Sequence, residues 1–103
     1  MELKSGVRVT FIKTLVNVTI KVMQIKVKKL HPDAKLPTYA HPGDAGMDLF
    51  TLESFTVPSG KSAKIRTGLA FELPEGHVGL CWDKSGLSIN HSIKSLGGVL
   101  DEG

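Results

Sequence analysis

The chain has 103 residues, of which 41% are apolar and one is a cysteine. This length supports one small domain, and the apolar fraction is too high for a disordered chain. The formal charge of +3 is unevenly divided, since residues 1–29 carry seven Lys or Arg against one Glu, whereas residues 30–103 carry six against nine Asp or Glu. The basic character therefore belongs to the N-terminal segment, and we expect no stable nucleic-acid partner for the domain as a whole.

The single cysteine, Cys81, cannot form an internal disulfide, so the fold does not depend on an oxidising compartment. Its place between Leu80 and Trp82 favours a buried, unreactive thiol. No stretch has the length of a membrane-spanning helix, and charged and polar residues interrupt the first 22 residues, which also lack the cleavage site of a signal peptide. We expect an intracellular, cytoplasmic protein with no membrane partner.

Residues 1–22 are predicted to be an N-terminal extension. Apolar and polar residues alternate between positions 16 and 22, which is a strand pattern. Two interpretations stay open at this stage. The segment is either a real extra edge strand or translated upstream sequence before a start at Met23.

From Met23 onward, short extended segments alternate with turns that contain Pro and Gly, and no helical period of useful length occurs. Turn signals recur about every ten residues, which predicts an all-β sandwich or barrel. The predicted strands are residues 47–50, a strand that ends at Thr56, the alternating run of residues 61–73 with a bulge at Gly68, residues 78–82, and a last strand or hairpin over residues 92–100.

The first chemistry-bearing motif is Asp44-Ala45-Gly46-Met47-Asp48-Leu49. A loop followed by a strand presents the Asp48 carboxylate where it can order water or a hard cation. The alternative is an aspartate that only accepts backbone N–H bonds in a turn, and on this segment alone that alternative is favoured. For Asp44 we expect such a loop-shaping role.

The second motif is Asp83-Lys84-Ser85-Gly86-Leu87. Phosphate binding needs hydrogen-bond donors, positive charge and close backbone approach, and Lys-Ser-Gly supplies one of each. Most copies of such a tripeptide are ordinary turns. This motif alone therefore does not indicate phosphate binding, and it becomes specific only in combination with the other motifs of the chain.

The third motif is Gly97-Gly98-Val99-Leu100-Asp101. Paired glycines let the backbone bend sharply, so that main-chain groups can face a ligand without side chains in the way. A simple hairpin turn explains the glycines equally well when they are considered alone.

The three motifs in this order, over about residues 23–103, resemble the first three motifs of the trimeric dUTPase family. The resemblance implies a jelly-roll β-barrel that hydrolyses dUTP to dUMP and diphosphate by attack of water on the α-phosphorus. Such an activity limits uracil incorporation into DNA and supplies dUMP for dTMP synthesis. The implied cofactor is Mg²⁺, and the implied assembly is a homotrimer at full length.

By the same resemblance, Asp48 occupies the position that contributes to the Mg²⁺–triphosphate site, acting through metal-bound water. Lys84, Ser85 and Gly86 match a phosphate-binding motif whose first residue is usually Arg. Lys84 keeps the charge of that arginine but loses its two-pronged geometry.

The third motif is implied to read uracil through backbone groups of Gly98, Val99 and Leu100. Asp101 matches the aspartate that orients and deprotonates the attacking water, and thus belongs to both the catalytic and the substrate-binding residues.

The family continues beyond its third motif into further strands and a C-terminal arm. We therefore expect residues 23–103 to be a partial domain, incomplete at its C-terminus, and residues 1–103 alone to fold poorly and show little activity. Three alternatives remain: an inactive dUTPase-like binding module, a dCTP deaminase-like protein of the same fold, and a nucleic-acid binder that rests only on residues 1–29.

Overall fold

The structure is a computed structural model that describes the backbone of residues 2–11 and 24–102 and the side chains of residues 24–102. The strand pattern predicted between positions 16 and 22 lies outside the described residues. Within them, six strands and one short helix form in this order: β1 (Glu2–Phe11), β2 (Lys26–Lys29), β3 (Gly46–Thr56), β4 (Leu69–Glu72), β5 (Gly79–Asp83), α1 (Ser85–His91) and β6 (Val99–Leu100).

The larger sheet has the strand order β3-β1-β5-β6, and every pairing in it is antiparallel. β1 belongs to the predicted N-terminal extension, for which an edge strand was one open interpretation. The structure instead places β1 inside the sheet, between the strands that carry the first and second motifs. The alternation of Val7 and Val9 with Arg8 and Thr10 suits such a strand.

The smaller sheet consists of β2 and β4, in which Lys26 lies directly opposite Glu72. The pairing continues one residue beyond both strands, since the Leu30 N–H donates to the Gly68 carbonyl at 2.7 Å. The Leu52 N–H donates to the Arg66 carbonyl at 2.8 Å, so the segment before β4 also lies along β3.

The apolar core consists of a few small and aliphatic side chains. Among residues 24–102, the fully buried apolar residues are Ala34, Leu49 and Leu73. Gly68 has a φ of +70°, and a Cβ atom there would lie 3.0 Å from the Ala34 Cβ. The bulge predicted at Gly68 is wrong, because β4 begins only after this residue, at Leu69. The positive φ of Gly68 instead brings the chain against Ala34, where a larger residue would not fit.

Several predicted boundaries differ from the structure. β3 is one strand of eleven residues where a short strand over residues 47–50 and a separate strand end at Thr56 were predicted, because Thr51 to Thr56 continue the extended backbone. Residues 61–68 are irregular where a strand was expected, and β6 spans only two residues. The predominance of strands is confirmed, and the described strands form two open sheets rather than a closed barrel.

Helix α1 was missed by the sequence analysis. It spans Ser85–His91, and none of its residues is buried. Glycine, serine, asparagine and a β-branched residue all lower its intrinsic helix propensity. A helix of two turns has too few apolar positions to produce a recognisable period. No helix among the described residues is long and apolar enough to cross a membrane.

The paired glycines before β6 both have positive φ, +78° at Gly97 and +126° at Gly98. The Cys81 N–H donates to the Gly98 carbonyl at 2.7 Å, which joins this segment to β5. A Cβ atom on Gly98 would lie only 2.7 Å from the Cys81 carbonyl oxygen, whereas one on Gly97 would meet nothing within 4 Å. Gly98 is therefore required by both its conformation and its surroundings.

We predict that Gly98→Ala destabilises the protein more than Gly97→Ala. The left-handed backbone alone should cost Gly97→Ala about 1–2 kcal/mol. Gly98→Ala adds a clash with backbone, which cannot move aside like a flexible side chain. Urea unfolding followed by Trp82 fluorescence measures both losses, and equal losses would show that the close approach to Cys81 causes no strain.

Candidate functional site

Asp48 lies in β3, and both edges of the strand are occupied at this residue. On one side its backbone exchanges hydrogen bonds with Thr38, at 2.8 and 3.3 Å. On the other side it pairs with β1, where Arg8 is its register partner. The Asp48 residue is only 6% exposed. Its carboxylate is thus held in a fixed place by paired backbone on both sides.

The Lys84 side chain reaches this carboxylate. Its Nζ donates to the Asp48 Oδ2 at 2.8 Å, and the Lys84 side chain is 30% exposed. The structure thereby joins the first and second motifs, which are 36 residues apart in sequence. An ammonium group carries three N–H donors, so the bond to Asp48 leaves Lys84 capacity for phosphate oxygens.

The loop before β3 is shaped by Asp44. Its Oδ2 accepts a hydrogen bond from the His41 N–H at 3.0 Å, and its own N–H donates to the His41 carbonyl at 3.2 Å. The predicted loop-shaping role of Asp44 is therefore confirmed. The loop ends at Gly46, the first residue of β3.

The second motif changes backbone conformation at Lys84. This residue is extended, with φ −77° and ψ 120°, and α1 begins immediately after it at Ser85. Ser85 and Gly86 are exposed at the start of that helix. The Ser85 hydroxyl and the backbone of Gly86 are thus accessible beside the Lys84–Asp48 pair.

Asp83, which precedes the motif's lysine, has a role that the sequence analysis did not identify. Its Oδ1 accepts a hydrogen bond from the Ser95 N–H at 2.6 Å. This bond, helped by a side-chain hydrogen bond with Ser95 and by the charge of Lys94, lowers the pKa of Asp83 despite some desolvation. Asp83 thereby ties the end of β5 to the segment that leads into the third motif.

The third motif consists of the paired glycines, strand β6 and Asp101, which follows the strand. Val99 pairs with Leu80 and Leu100 pairs with Gly79, which makes β6 the last strand of the described sheet. The outer edge of β6 therefore presents main-chain groups away from β5. Asp101 comes directly after β6 and is exposed.

The third motif lies far from the other two within one chain. Lys84 follows the last residue of β5, whereas Leu100 pairs with Gly79, the first residue of that strand. Five residues of extended strand separate these ends by about 16 Å, at about 3.3 Å per residue. The structure brings Asp48 and Lys84 together and leaves Asp101 at the opposite end of β5.

An open cavity of about 850 Å³ lies on the other face of the larger sheet. Its wall includes Leu49, Cys81, Gly97 and Gly98. Burial raises the pKa of the Cys81 thiol, which reduces its thiolate content at neutral pH. The predicted burial of Cys81 is met only in part, since the residue is half-buried and lines this cavity, and its low reactivity stays a prediction.

The four histidines do not converge on the site. Three of them, His31, His41 and His77, lie in loops, and His91 is the last residue of α1. No group of three or more His, Cys, Asp and Glu residues that could hold a metal ion occurs among the described residues.

A family model described as dUTPase matches residues 32–103. The chain is 44% identical over 81 residues to the deoxyuridine 5'-triphosphate nucleotidohydrolase of Clostridioides difficile, covering 77% of this chain and 57% of that protein. It is 40% identical over 83 residues to the protein of the same name from Thermobifida fusca (strain YX), covering 79% of this chain and 46% of that protein. It is 45% identical over 84 residues to the protein of the same name from Alkaliphilus metalliredigens (strain QYMF), covering 80% of this chain and 58% of that protein.

The chain spans about half the length of the curated relatives it matches. No solved structure gives a significant match.

We predict that Lys84→Ala lowers the free energy of unfolding by about 1–3 kcal/mol, because it removes a partner from a buried carboxylate. Lys26→Ala is the matched control, since Lys26 Nζ lies 3.0 Å from Glu72 Oε1 but both side chains are well exposed. That variant should lose less than about 1 kcal/mol. Urea unfolding at low and high salt measures both, and equal losses would contradict an energetic role for the burial of Asp48.

We also predict that Asp83 stabilises the fold in a pH-dependent way. Its folded-state pKa lies below the ordinary value of 3.8. The stabilisation is therefore complete above pH 3.8 and is lost as the pH falls through the lower folded-state pKa. Asp83→Asn should reduce the unfolding free energy at neutral pH, and the difference from wild type should shrink in acid. A difference that stays constant with pH would show that the charge of Asp83 is unimportant.

Proposed function

The chain belongs to the dUTPase family, a family of jelly-roll β fold, and from that premise we propose that the protein hydrolyses dUTP to dUMP and diphosphate. This activity would limit uracil incorporation into DNA and supply dUMP for dTMP synthesis. The observation that carries the proposal is the 2.8 Å contact between Asp48 and Lys84, which unites two of the three family motifs in space. A dCTP deaminase-like activity has no comparable support.

We assign the triphosphate to the surface around Lys84. Lys84 supplies positive charge, and the neighbouring Ser85 and Gly86 supply a hydroxyl and accessible backbone, all of which bind phosphate oxygens. Lysine acts on phosphate as a point charge, so the geometry of binding depends on its neighbours more than it would with arginine. The buried Asp48 carboxylate fixes the position of the Lys84 ammonium.

Mg²⁺ fits this surface in the manner expected for a nucleotide-bound ion. Such an ion keeps several waters and uses one or two carboxylates together with substrate phosphates, so it needs no cluster of protein ligands. Asp48 is the residue that would hold it, through water. When bound, Mg²⁺ supplies charge neutralisation for the phosphate tail and the leaving diphosphate.

Recognition of the base is assigned to Gly98, Val99 and Leu100. β6 lies at the edge of the described sheet, so its outer backbone groups can pair with the polar edge of uracil. The close approach of Gly98 to Cys81 fixes the position of this backbone. Asp101 follows at once, and its exposed carboxylate would orient a water molecule and accept its proton as general base.

We further propose that the complete site forms between copies of the chain in a homotrimer. Asp101 and Lys84 lie at opposite ends of β5, about 16 Å apart along the strand. The α- and γ-phosphates of one nucleotide are joined through a single intervening phosphate, which cannot span this distance. In a trimer, a second copy of the chain can bring its third motif to the Asp48–Lys84 pair, so that one nucleotide reaches both motifs. The cytoplasmic location expected from the sequence stays a prediction.

The test of the function is hydrolysis of dUTP in the presence of Mg²⁺ by this chain extended to the full length of its relatives, compared with hydrolysis of dTTP, dCTP and UTP. We predict a clear preference for dUTP, because backbone groups that pair with uracil discriminate against cytosine. A backbone that lies close to the base also leaves little room for the C5 methyl group of thymine. Release of diphosphate is measured for each nucleotide at equal concentration, and equal turnover of dTTP would contradict the assignment of uracil recognition to β6.

Asp101→Asn separates the chemistry from the binding in the same assay. Loss of a general base typically lowers the rate about 100-fold or more. Binding of dUTP should stay nearly unchanged, since the amide keeps the size of the side chain. Glu102→Gln is the matched control, because it removes a neighbouring carboxylate to which we assign no catalytic role. If Asp101→Asn hydrolyses dUTP at the wild-type rate, Asp101 is not the base.

A further inference from the structure

The pairing of β1 places an arginine in the same row as the first motif. Arg8 is the register partner of Asp48 on β3 and also of Trp82 on β5. Residues directly opposite each other in antiparallel strands share a face of the sheet. The row Asp48–Arg8–Trp82 therefore crosses three strands on one face. Lys84 follows β5 with extended backbone, so strand alternation puts it, two residues after Trp82, on that face as well.

The distance between β3 and β5 shows that the Lys84 side chain must cross β1 to reach Asp48. Two strand spacings separate β3 from β5 by about 10 Å. The ammonium of Lys84 nevertheless contacts Asp48 at 2.8 Å, so the lysine side chain crosses the width of β1, the strand that carries Arg8. A cationic residue at this register position lies in the middle of the surface that we assign to phosphate.

Arginine also supplies what the second motif lacks. Lys84 stands where the family usually has an arginine, and an ammonium cannot make the paired, planar contacts that a guanidinium makes with phosphate. The chain contains only two arginines. The other one, Arg66, donates to Glu53 Oε1 at 2.9 Å.

We propose that Arg8, on the N-terminal strand β1, is a phosphate-binding residue for the triphosphate of dUTP. It contributes the guanidinium that the second motif does not contain. This inference rests on the proposed function. The family model matches residues 32–103, and the inference extends the site to β1, which lies outside that range.

The position of β1 can be tested without any ligand. Val9 is the register partner of Cys81, the single cysteine of the chain. Directly opposed residues in antiparallel strands have Cα atoms about 4.5–5.5 Å apart, within the range that a disulfide spans. Val9→Cys should therefore form an intramolecular disulfide with Cys81 when dilute protein is treated with oxidised glutathione.

Thr10→Cys is the matched register control, since a shift of one residue moves the thiol to the other face of the sheet. It should form little of the disulfide. Peptide mass spectrometry identifies the linked pair. Absence of the link in Val9→Cys, or equal linking in both variants, would overturn the placement of Arg8 beside Asp48.

The binding role is tested with Mg²⁺-tripolyphosphate and with dUTP, by calorimetry on the full chain. Arg8→Ala should weaken binding of both probes about tenfold or more, the usual effect of losing a hydrogen bond between charged groups. Arg8→Lys should recover part of the affinity. Lys4→Ala removes a positive charge elsewhere on β1 and should change affinity less than about twofold if general charge attraction is minor.

The outcomes separate this inference from the proposed function. If the wild-type chain binds neither probe, the phosphate site itself is wrong and the role of Arg8 fails with it. If the wild type binds and Arg8→Ala binds equally well, only the role of Arg8 is overturned. Urea unfolding of each variant shows whether a lost affinity reflects a lost fold, and an Arg8→Ala protein whose affinity returns once it is fully folded would also overturn the inference.

Discussion

The buried ion pair between Asp48 and Lys84 is the interaction on which the site depends. Asp48 is held by Thr38 on one edge of β3 and by β1 on the other, and a carboxylate so far from water needs a cation. Lys84 supplies that cation from the end of β5. The pair therefore fixes the second motif against the first. It also places a positively charged, partly exposed side chain on the sheet surface, where a phosphate can reach it.

The strand order determines how far this site extends within one chain. β5 ends at Asp83, where the second motif begins, and pairs with the third motif at its first residues. A strand is stiff and extended, so the two motifs cannot approach each other without breaking the sheet. The separation of Asp101 from Lys84 thus follows from the antiparallel pairing of β5 and β6, and it accounts for the proposed sharing of the site between copies.

The backbone near the third motif is constrained in a different way. Gly98 adopts a positive φ and lies against the carbonyl of Cys81, so neither its conformation nor its surroundings tolerate a side chain. Asp83 accepts a hydrogen bond from Ser95 in the same region and draws the preceding segment to β5. These two contacts hold the edge strand that we assign to base recognition, while leaving its outer backbone groups available.

The sequence by itself determined the β-rich fold, the loop-shaping role of Asp44 and the family, because alternation, turn residues and three short motifs are local properties. It did not reveal α1, whose two turns have weak helix propensity and no buried face. Only the tertiary structure decided that β1 lies between β3 and β5, that Lys84 pairs with Asp48, and that Asp101 lies at the other end of β5. Each of these depends on which strands pair and in which register. Such long-range pairings are set by packing across the whole sheet rather than by any one segment.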